Sequence, residues 1–261
     1  MADLPLEFKR LFSIAAAQAG RALFPPLCGG CRRTVSLPAT LCGSCWRELR
    51  LMERPWCEVL GVPFGVDMGE GALSPAAIAN PPPFDRARSA VAYTGVARRM
   101  VQALKYNDRT DLAPWMARWM MRAGAELIRD ADLIVPVPLH ARRFLRRRFN
   151  QSAELARAIA GLSGLGFEPA LVVRARPTRQ QVGLGLAERE QNVRGAFKVP
   201  VAERERLRGR RVLAVDDVYT TGATVSAMAR SLRRAGAAGV DVLTFARVLP
   251  EDFLDGGGNS I

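Results

Sequence analysis

Several things are missing from this sequence, and each absence excludes a class of protein. There is no apolar run near the ~18 residues that a membrane-spanning helix needs. The G-x-x-x-x-G-K-[ST] phosphate loop is absent, and Gly183-Leu184-Gly185 lacks the third glycine of a dinucleotide fingerprint and does not directly follow a strand. There is one histidine, His140, with no catalytic partner visible around it, so a Ser-His-Asp assignment has no support. Acid is in the minority: 25 Asp and Glu face 38 Lys and Arg, a net charge of +13. The five cysteines make an odd count, which argues against a secreted disulfide scaffold and for reduced thiols in a cytoplasmic protein. No internal repeat is present.

The length, 261 residues, accommodates one large α/β domain and a small module. Hydrophobic residues at 49% and charged residues at 24% are ordinary globular usage. The positive balance suits polyanions such as nucleic acid or phosphorylated metabolites, and it equally fits an Arg-rich surface. At the N-terminus Lys9 and Arg10 precede an apolar stretch ending in Ala17-Gln18-Ala19, which has the outline of a signal peptide. Asp3 and Glu7 contradict the basic region such a peptide needs. Leu4, Phe8, Leu11, Phe12, Ala15, Ala19 and Leu23 recur at helical spacing, so residues 1–24 are expected to form an amphipathic helix.

Pro25-Pro26 ends that helix, and the paired cysteines follow within residues 28–46. From Pro55 to Pro83 the chain is rich in Gly, Pro and Ala. Pro81-Pro82-Pro83 reads as a stiff linker, which puts a domain boundary near Phe84. Beyond it β and α signals alternate. Strands are expected at Ser89–Tyr93, Leu133–Val137, Leu171–Val173, Val212–Val215 and Val240–Phe245, with helices at Val96–Tyr106 and Ser152–Ala160. Leu112, Trp115, Met116, Trp119, Met120, Ala123 and Leu127 form one long apolar stripe, read as helix core. Such alternation implies a parallel sheet with helices on both faces.

The sharpest signal is V-L-A-V-D-D-V-Y-T-T-G-A-T, Val212 to Thr224. Four apolar residues make a buried strand, Asp216 and Asp217 end it, and Thr220, Thr221, Gly222, Ala223 and Thr224 open a helix. Ligands of open α/β sheets bind beyond the carboxyl ends of the strands. A helix start offers unpaired N–H groups and a positive dipole end to a phosphate. Gly222 permits close backbone approach, the threonines add hydroxyl donors, and two carboxylates accept bonds from vicinal hydroxyls. A ribose 5-phosphate presents those groups together.

This string resembles the phosphoribosyl pyrophosphate (PRPP) signature of type I phosphoribosyltransferases. I-V-P-V-P-L-H-A-R-R, R-R-R-F-N-Q-S-A-E-L-A and T-R-Q-Q-V-G-L-G-L-A-E-R-E-Q-N-V-R-G-A-F extend the likeness to the ComF family of competence-associated proteins, over Phe24 to Val248. The resemblance implies a type I phosphoribosyltransferase fold, with a mainly parallel central sheet flanked by helices, over residues 84–261. It implies a small zinc-ribbon domain and linker, its second half degenerate, over residues 25–83. It places Pro136–Arg143 as a pyrophosphate-binding loop, Arg176–Phe197 as a closing loop, Asp216 and Asp217 on the ribose hydroxyls as the catalytic pair, and Thr220–Thr224 on the 5-phosphate. Mg²⁺ bound with PRPP, and displacement of pyrophosphate by an unidentified nitrogen acceptor, come with it. So does a second reading: an accessory protein of DNA uptake that contacts single-stranded DNA or a helicase.

Arginine pairs well with phosphate oxygens. Arg142, Arg143, Arg146, Arg147 and Arg148 crowd one segment, and Arg142 and Arg146 are the candidates for the pyrophosphate; a solvated basic face is the alternative. His140 suits a structural or ligand-orienting role. Cys28-Gly-Gly-Cys31 and Cys42-Gly-Ser-Cys45 supply four thiolates in the pattern of a closed, structural zinc site, with a redox pair or an iron–sulfur cluster as alternatives. ComF relatives often carry further C-x-x-C pairs. Here Cys57-Glu-Val-Leu60 keeps half of one and Ser74-Pro-Ala-Ala77 none, so a single zinc is expected.

Overall fold

The computed structural model describes residues 25–38, 40–106, 108–139, 149–176 and 186–249. The expected N-terminal helix lies outside them. Chain contacts divide the protein into two compact units, Met1–Glu48 and Leu49–Ile261. In the small unit an antiparallel bridge joins Leu27 to Thr34, and a short helix, α1, spans Gly43–Glu48.

The large unit holds a five-stranded sheet in the order β1-β7-β6-β2-β3. Its strands are β1 (Arg86–Ala92), β2 (Leu133–Pro136), β3 (Gly166–Phe167), β6 (Arg211–Tyr219) and β7 (Gly239–Arg247), and every pairing is parallel. β4 (Val173–Arg174) and β5 (Phe197–Lys198) form a separate antiparallel pair. Helices α2 (Pro75–Ala79), α3 (Gly95–Tyr106), α4 (Ala113–Ala123), α5 (Ala125–Asp130), α6 (Gln151–Ser163), α7 (Leu186–Val193), α8 (Arg204–Leu207) and α9 (Ala223–Arg234) complete it. All nine residues of β7 are buried, as a strand paired on both edges and covered on both faces must be. Alternate residues of β6 serve two cores. Val212 and Ala214 join Met228 and Leu232 of α9, while Leu213 and Val215 point to the opposite face.

Three differences from the sequence reading have physical causes. The long apolar stripe is two helices, broken at Gly124, where an added Cβ would lie 2.7 Å from the Leu243 side chain. The expected strand at Leu171–Val173 contributes only Val173 to a strand, in the separate β4–β5 pair; β3 takes the sheet edge instead, and two residues carry no periodicity to read. β6 does not stop at Val215 but runs on through both acids to Tyr219, because β7 continues beside it to Arg247.

Residues 49–83 belong to the large unit by contact, whereas the sequence puts the boundary at Phe84. Their first part, from Arg50 to Val59, runs along the outer edge of β1. Met52 N–H donates to Ala90 O at 3.0 Å, Ala92 N–H to Arg50 O at 2.9 Å and Ala87 N–H to Val59 O at 2.7 Å. An edge strand left bare would template aggregation; this segment covers it. Gly61, at φ 63°, passes so close that a Cβ would sit 2.2 Å from Ala87 O. Arg88 of β1, 1% exposed, fastens the segment. It donates to Glu58 Oε2 and Glu126 Oε1 at 2.8 Å each and to the Glu58 and Ala87 carbonyls at 2.9 Å. Its guanidinium also stacks 4.8 Å from the Trp56 ring centre.

Candidate ribose-phosphate site and metal centre

β6 is paired on one side only as far as Val215, which faces Pro136 of β2. Val137 N–H still reaches Val215 O at 2.9 Å, and then the neighbouring chain departs through Pro138, which has no N–H to give. Asp216 and Asp217 therefore sit where β6 keeps β7 but has lost β2. Such a one-sided strand end is the crevice in which open α/β sheets take their ligands.

Neighbouring elements hold each acid. Asn150 caps α6: its Oδ1 accepts from Ser152 N–H at 3.1 Å, and its Nδ2 donates to Val137 O at 3.0 Å. Ser152, so placed, donates its hydroxyl to Asp216 Oδ1 at 2.7 Å, and Asp217 N–H donates to the same oxygen at 2.9 Å. The buried Asp217 is paired through Oδ2 with Lys105 Nζ of α3 at 2.8 Å. Burial and the charge of Asp217 push the Asp216 carboxyl up to about 7, against the pull of the Ser152 bond and Lys105. Burial works against the Lys105 charge, yet Asp217 and then Asp216 more than offset it and hold the ammonium above its ordinary range.

After Tyr219 the backbone turns into α9. Thr220 is exposed, Ala223 N–H reaches Thr221 Oγ1 at 3.4 Å, and Gly222 adopts φ 78°. A Cβ on Gly222 would lie 2.2 Å from the Tyr219 hydroxyl, so both conformation and space demand glycine. Tyr219 is itself fixed, edge-on to Phe84 and 3.9 Å beneath the Arg247 guanidinium, which donates to Leu60 O at 2.5 Å. The turn thus presents the N-terminus of a helix of 12 residues, Thr220–Thr224, directly beyond the two acids.

The fold brings Asp216, Asp217 and Thr220–Thr224 to one strand end. Arg142, Arg146 and His140 lie outside the described residues, as does 177–185 of the expected closing loop. Lys105, Asn150, Ser152, Tyr219 and Arg247 escaped the sequence reading. Asn-x-Ser ahead of an apolar helix is a capping signature that could have found two of them; a lysine in the last turn of a helix gives no signal.

The four sulfurs of Cys28, Cys31, Cys42 and Cys45 all lie within 4.8 Å of one another. Among the described residues this is the one group of metal-ligating type so assembled. The knuckle geometry is that of a thiolate centre: Cys42 N–H points at Cys28 Sγ at 3.2 Å. Ser44 and the Cys45 N–H draw the Cys42 thiol down to about 6, while burial and the adjoining thiols push Cys45 up. Four soft donors within 4.8 Å of one another fit a zinc ion, and four thiolates would leave it no open position for catalysis. The second knuckle keeps its shape without its ligands. Buried Cys57 accepts N–H bonds from Leu60 at 3.4 Å and Ser74 at 3.2 Å, but Leu60, Ser74 and Ala77 bring no thiolate.

Residues 19–78 match the model of the double zinc ribbon domain. The chain is 32% identical over 231 residues to the DNA utilization protein YhgH of Salmonella typhi, covering 86% of this chain and 98% of that one. It is 30% identical over 233 residues to the protein of that name in Escherichia coli K12, with the same coverages. Competence protein F of Haemophilus influenzae is 28% identical over 231 residues, covering 85% and 90%. Among solved structures, a glutamine PRPP amidotransferase from B. subtilis is 26% identical at a TM-score of 0.34 and an allosteric regulatory enzyme of purine biosynthesis 20% at 0.37. These matches cover 54% and 62% of this chain but 30% and 42% of those, so the fold rests on the strand order above. No helix among the described residues is long and apolar enough to cross a membrane. With a parallel α/β sheet, an N-terminal zinc ribbon and relatives of this identity matched over nearly their whole length, the chain belongs to the ComF/YhgH family of competence and DNA utilization proteins.

Proposed function

We propose that this protein handles single-stranded DNA as an accessory factor, in a reducing cytoplasmic setting that keeps its thiolates available. The names of its relatives, DNA utilization protein and Competence protein F, support this reading. The observation that carries it is the surface of the small unit. Arg32 and Arg33 follow Cys31, Trp46 and Arg47 follow Cys45, and all four are exposed around one cysteine cluster, Trp46 at 51%. Cations that meet the backbone beside an aromatic that meets a base are the ingredients of sequence-tolerant single-strand binding. A helicase would be a natural partner in such work. Stacking on one aromatic is worth about 1–3 kcal/mol, so Trp46→Ala should weaken single-strand affinity by roughly tenfold or more. Three arginines neutralising phosphates should give a salt slope near −2, at about −0.7 per phosphate. Fluorescence anisotropy with an oligonucleotide across salt concentrations measures both. Affinity indifferent to Trp46 and a flat slope would place DNA contact elsewhere.

A second reading is favoured by the open end of β6: the large unit binds PRPP. Asp216 and Asp217 would accept the two ribose hydroxyls, Thr220–Thr224 would cradle the 5-phosphate, and Arg142 and Arg146 would meet the pyrophosphate with Mg²⁺. Transfer would form a bond from an acceptor nitrogen to the anomeric carbon as the carbon–oxygen bond breaks and pyrophosphate leaves with the electron pair. A loose transition state of this kind needs positioning and charge stabilisation more than a strong base. Replacing both acids by Asn keeps the shape and removes two charge-assisted acceptors worth about 1.5–3 kcal/mol each. Calorimetry should show Mg-PRPP affinity reduced at least about tenfold. Undiminished binding would put the ligand elsewhere, and pyrophosphate release against candidate amines would separate turnover from sensing.

A further inference from the structure

We infer that Arg247, buried against Tyr219, is a fixed cation of the phosphate turn and strengthens its hold on a dianionic phosphate without touching it. The inference rests on the ribose-phosphate reading of the strand end and goes beyond it, to a positioning residue on the neighbouring strand.

Arg247 ends β7 and lies opposite Tyr219 of β6 and Ala92 of β1, at the same carboxyl end of the sheet as the acid pair. It is 6% exposed. Its guanidinium stacks 3.9 Å from the Tyr219 ring centre and donates to the Leu60 carbonyl, both uncharged groups. Arg86, Arg88 and Arg211 of the same sheet each meet a carboxylate. Among the described residues no carboxylate pairs with Arg247. Burial pulls it below its ordinary range, and only Tyr219 and Cys57 act the other way. A guanidinium keeps its proton in a protein, so the charge stays, and an anion brought close relieves it.

One phenol ring links this charge to the turn. The Tyr219 hydroxyl lies 2.2 Å from where a Gly222 Cβ would stand, and the guanidinium covers the face of the same ring. Tyr219 is buried, so protein rather than water fills the gap and the field is weakly screened. The N–H groups at the start of α9 and the guanidinium then act on one phosphate, the first by contact and the second through space. A phosphate monoester carries one charge below about pH 6 and two above it. A nearby cation favours the dianion and lowers that pKa. Its pull on two charges is about twice its pull on one, so half a unit of pKa corresponds to about tenfold in dianion affinity.

The test is a phosphorus NMR titration of ribose 5-phosphate bound to the full chain in Mg²⁺ buffer, with calorimetry at about pH 8 for affinity. In Arg247→Met the bound phosphate should titrate at least about half a unit higher than in the wild type, and affinity should fall at least about tenfold. Arg247→Lys, which keeps the charge but loses the flat stack on the ring, should retain most of the wild-type pKa. Asp216 titrates in the same range in every variant, so the comparison between variants isolates Arg247. A guanidinium that only props Tyr219 would cost affinity in Arg247→Met and leave the pKa of the bound phosphate unmoved, and that result would overturn the inference. So would a wild-type complex whose phosphate titrates no lower than free ribose 5-phosphate. A wild type that binds neither ribose 5-phosphate nor Mg-PRPP would instead remove the ribose-phosphate reading itself. Where ribose 5-phosphate binds too weakly, the 5-phosphate resonance of Mg-PRPP, distinct from its pyrophosphate, reports the same pKa. Should Arg247→Met fail to fold, Arg247→Gln, which can still donate to Leu60 O, is the neutral variant, and the wild-type comparison with free ligand stands beside it.

Discussion

Replacing Cys28 by serine is expected to remove the metal and unfold the small unit outright. The described part of that unit offers little else to hold it: one antiparallel bridge, one helix of six residues, and a side-chain interior in which Cys28 and Cys45 are the buried hydrophobics. A structural zinc bound by four thiolates contributes about 10–16 kcal/mol to folding in isolated modules, far more than such an interior can supply. Protein purified without added metal should carry one zinc per chain by elemental analysis, and the variant essentially none. Limited proteolysis should then cut between Pro25 and Glu48 while the melting transition of the large unit stays in place. Two zincs in the wild type would mean that the Cys57 knuckle binds metal after all; no zinc would send the cysteines to redox or iron–sulfur chemistry.

The second large effect is expected in the large unit, from Arg88→Ala. This arginine is the largest of its fully buried side chains, and it serves two carboxylates, two carbonyls and the Trp56 ring at once. Breaking a buried pair by removing one partner costs about 3–5 kcal/mol. Glu58 and Glu126 are each 29% exposed and regain some water, which favours the lower end, but the vacated volume works the other way. For a unit of this size each kcal/mol moves the melting point by about 2–4 °C, so a fall of roughly 10 °C is expected in a thermal melt. Arg88→Met, which refills the space without the charge, should fall less. A loss under about 2 °C for the alanine variant would show that the 49–83 segment is held by its backbone bonds to β1 alone.

Features whose cause is local were legible in the sequence. Val212–Val215 announces a buried strand because four apolar residues in a row admit little else, and Thr220–Thr224 announces a helix start because hydroxyl side chains around a glycine suit a turn into a helix. The two C-x-x-C pairs need only their spacing. What escaped depends on distant partners. Arg88 reads in sequence as an ordinary surface cation, and its burial follows from Glu58, 30 positions away, and Glu126, 38 away. The covering of β1 by residues 49–83 combines backbone hydrogen bonds, whose pairing no side-chain pattern announces, with the Arg88 contacts to Glu58 and Trp56. Lys105 becomes part of the acid site only because α3 ends where β6 loses β2. Even the length of β6 was hidden, since carboxylates inside a strand look like its terminus until a longer neighbour is seen beside it.

The empty second knuckle has a consequence for how the protein meets a changing supply of metal. At Cys57 the chain keeps sulfur-directed N–H bonds but closes the turn with Leu60, Ser74 and Ala77, so the fastening that covers β1 owes nothing to zinc. The fastening around Cys28 still does. A cell starved of zinc would therefore lose the small unit, with its exposed tryptophan and arginines, while the acid pair and its helix turn stayed folded. The two halves of the molecule would part company in function along a line drawn by nutrition rather than by temperature.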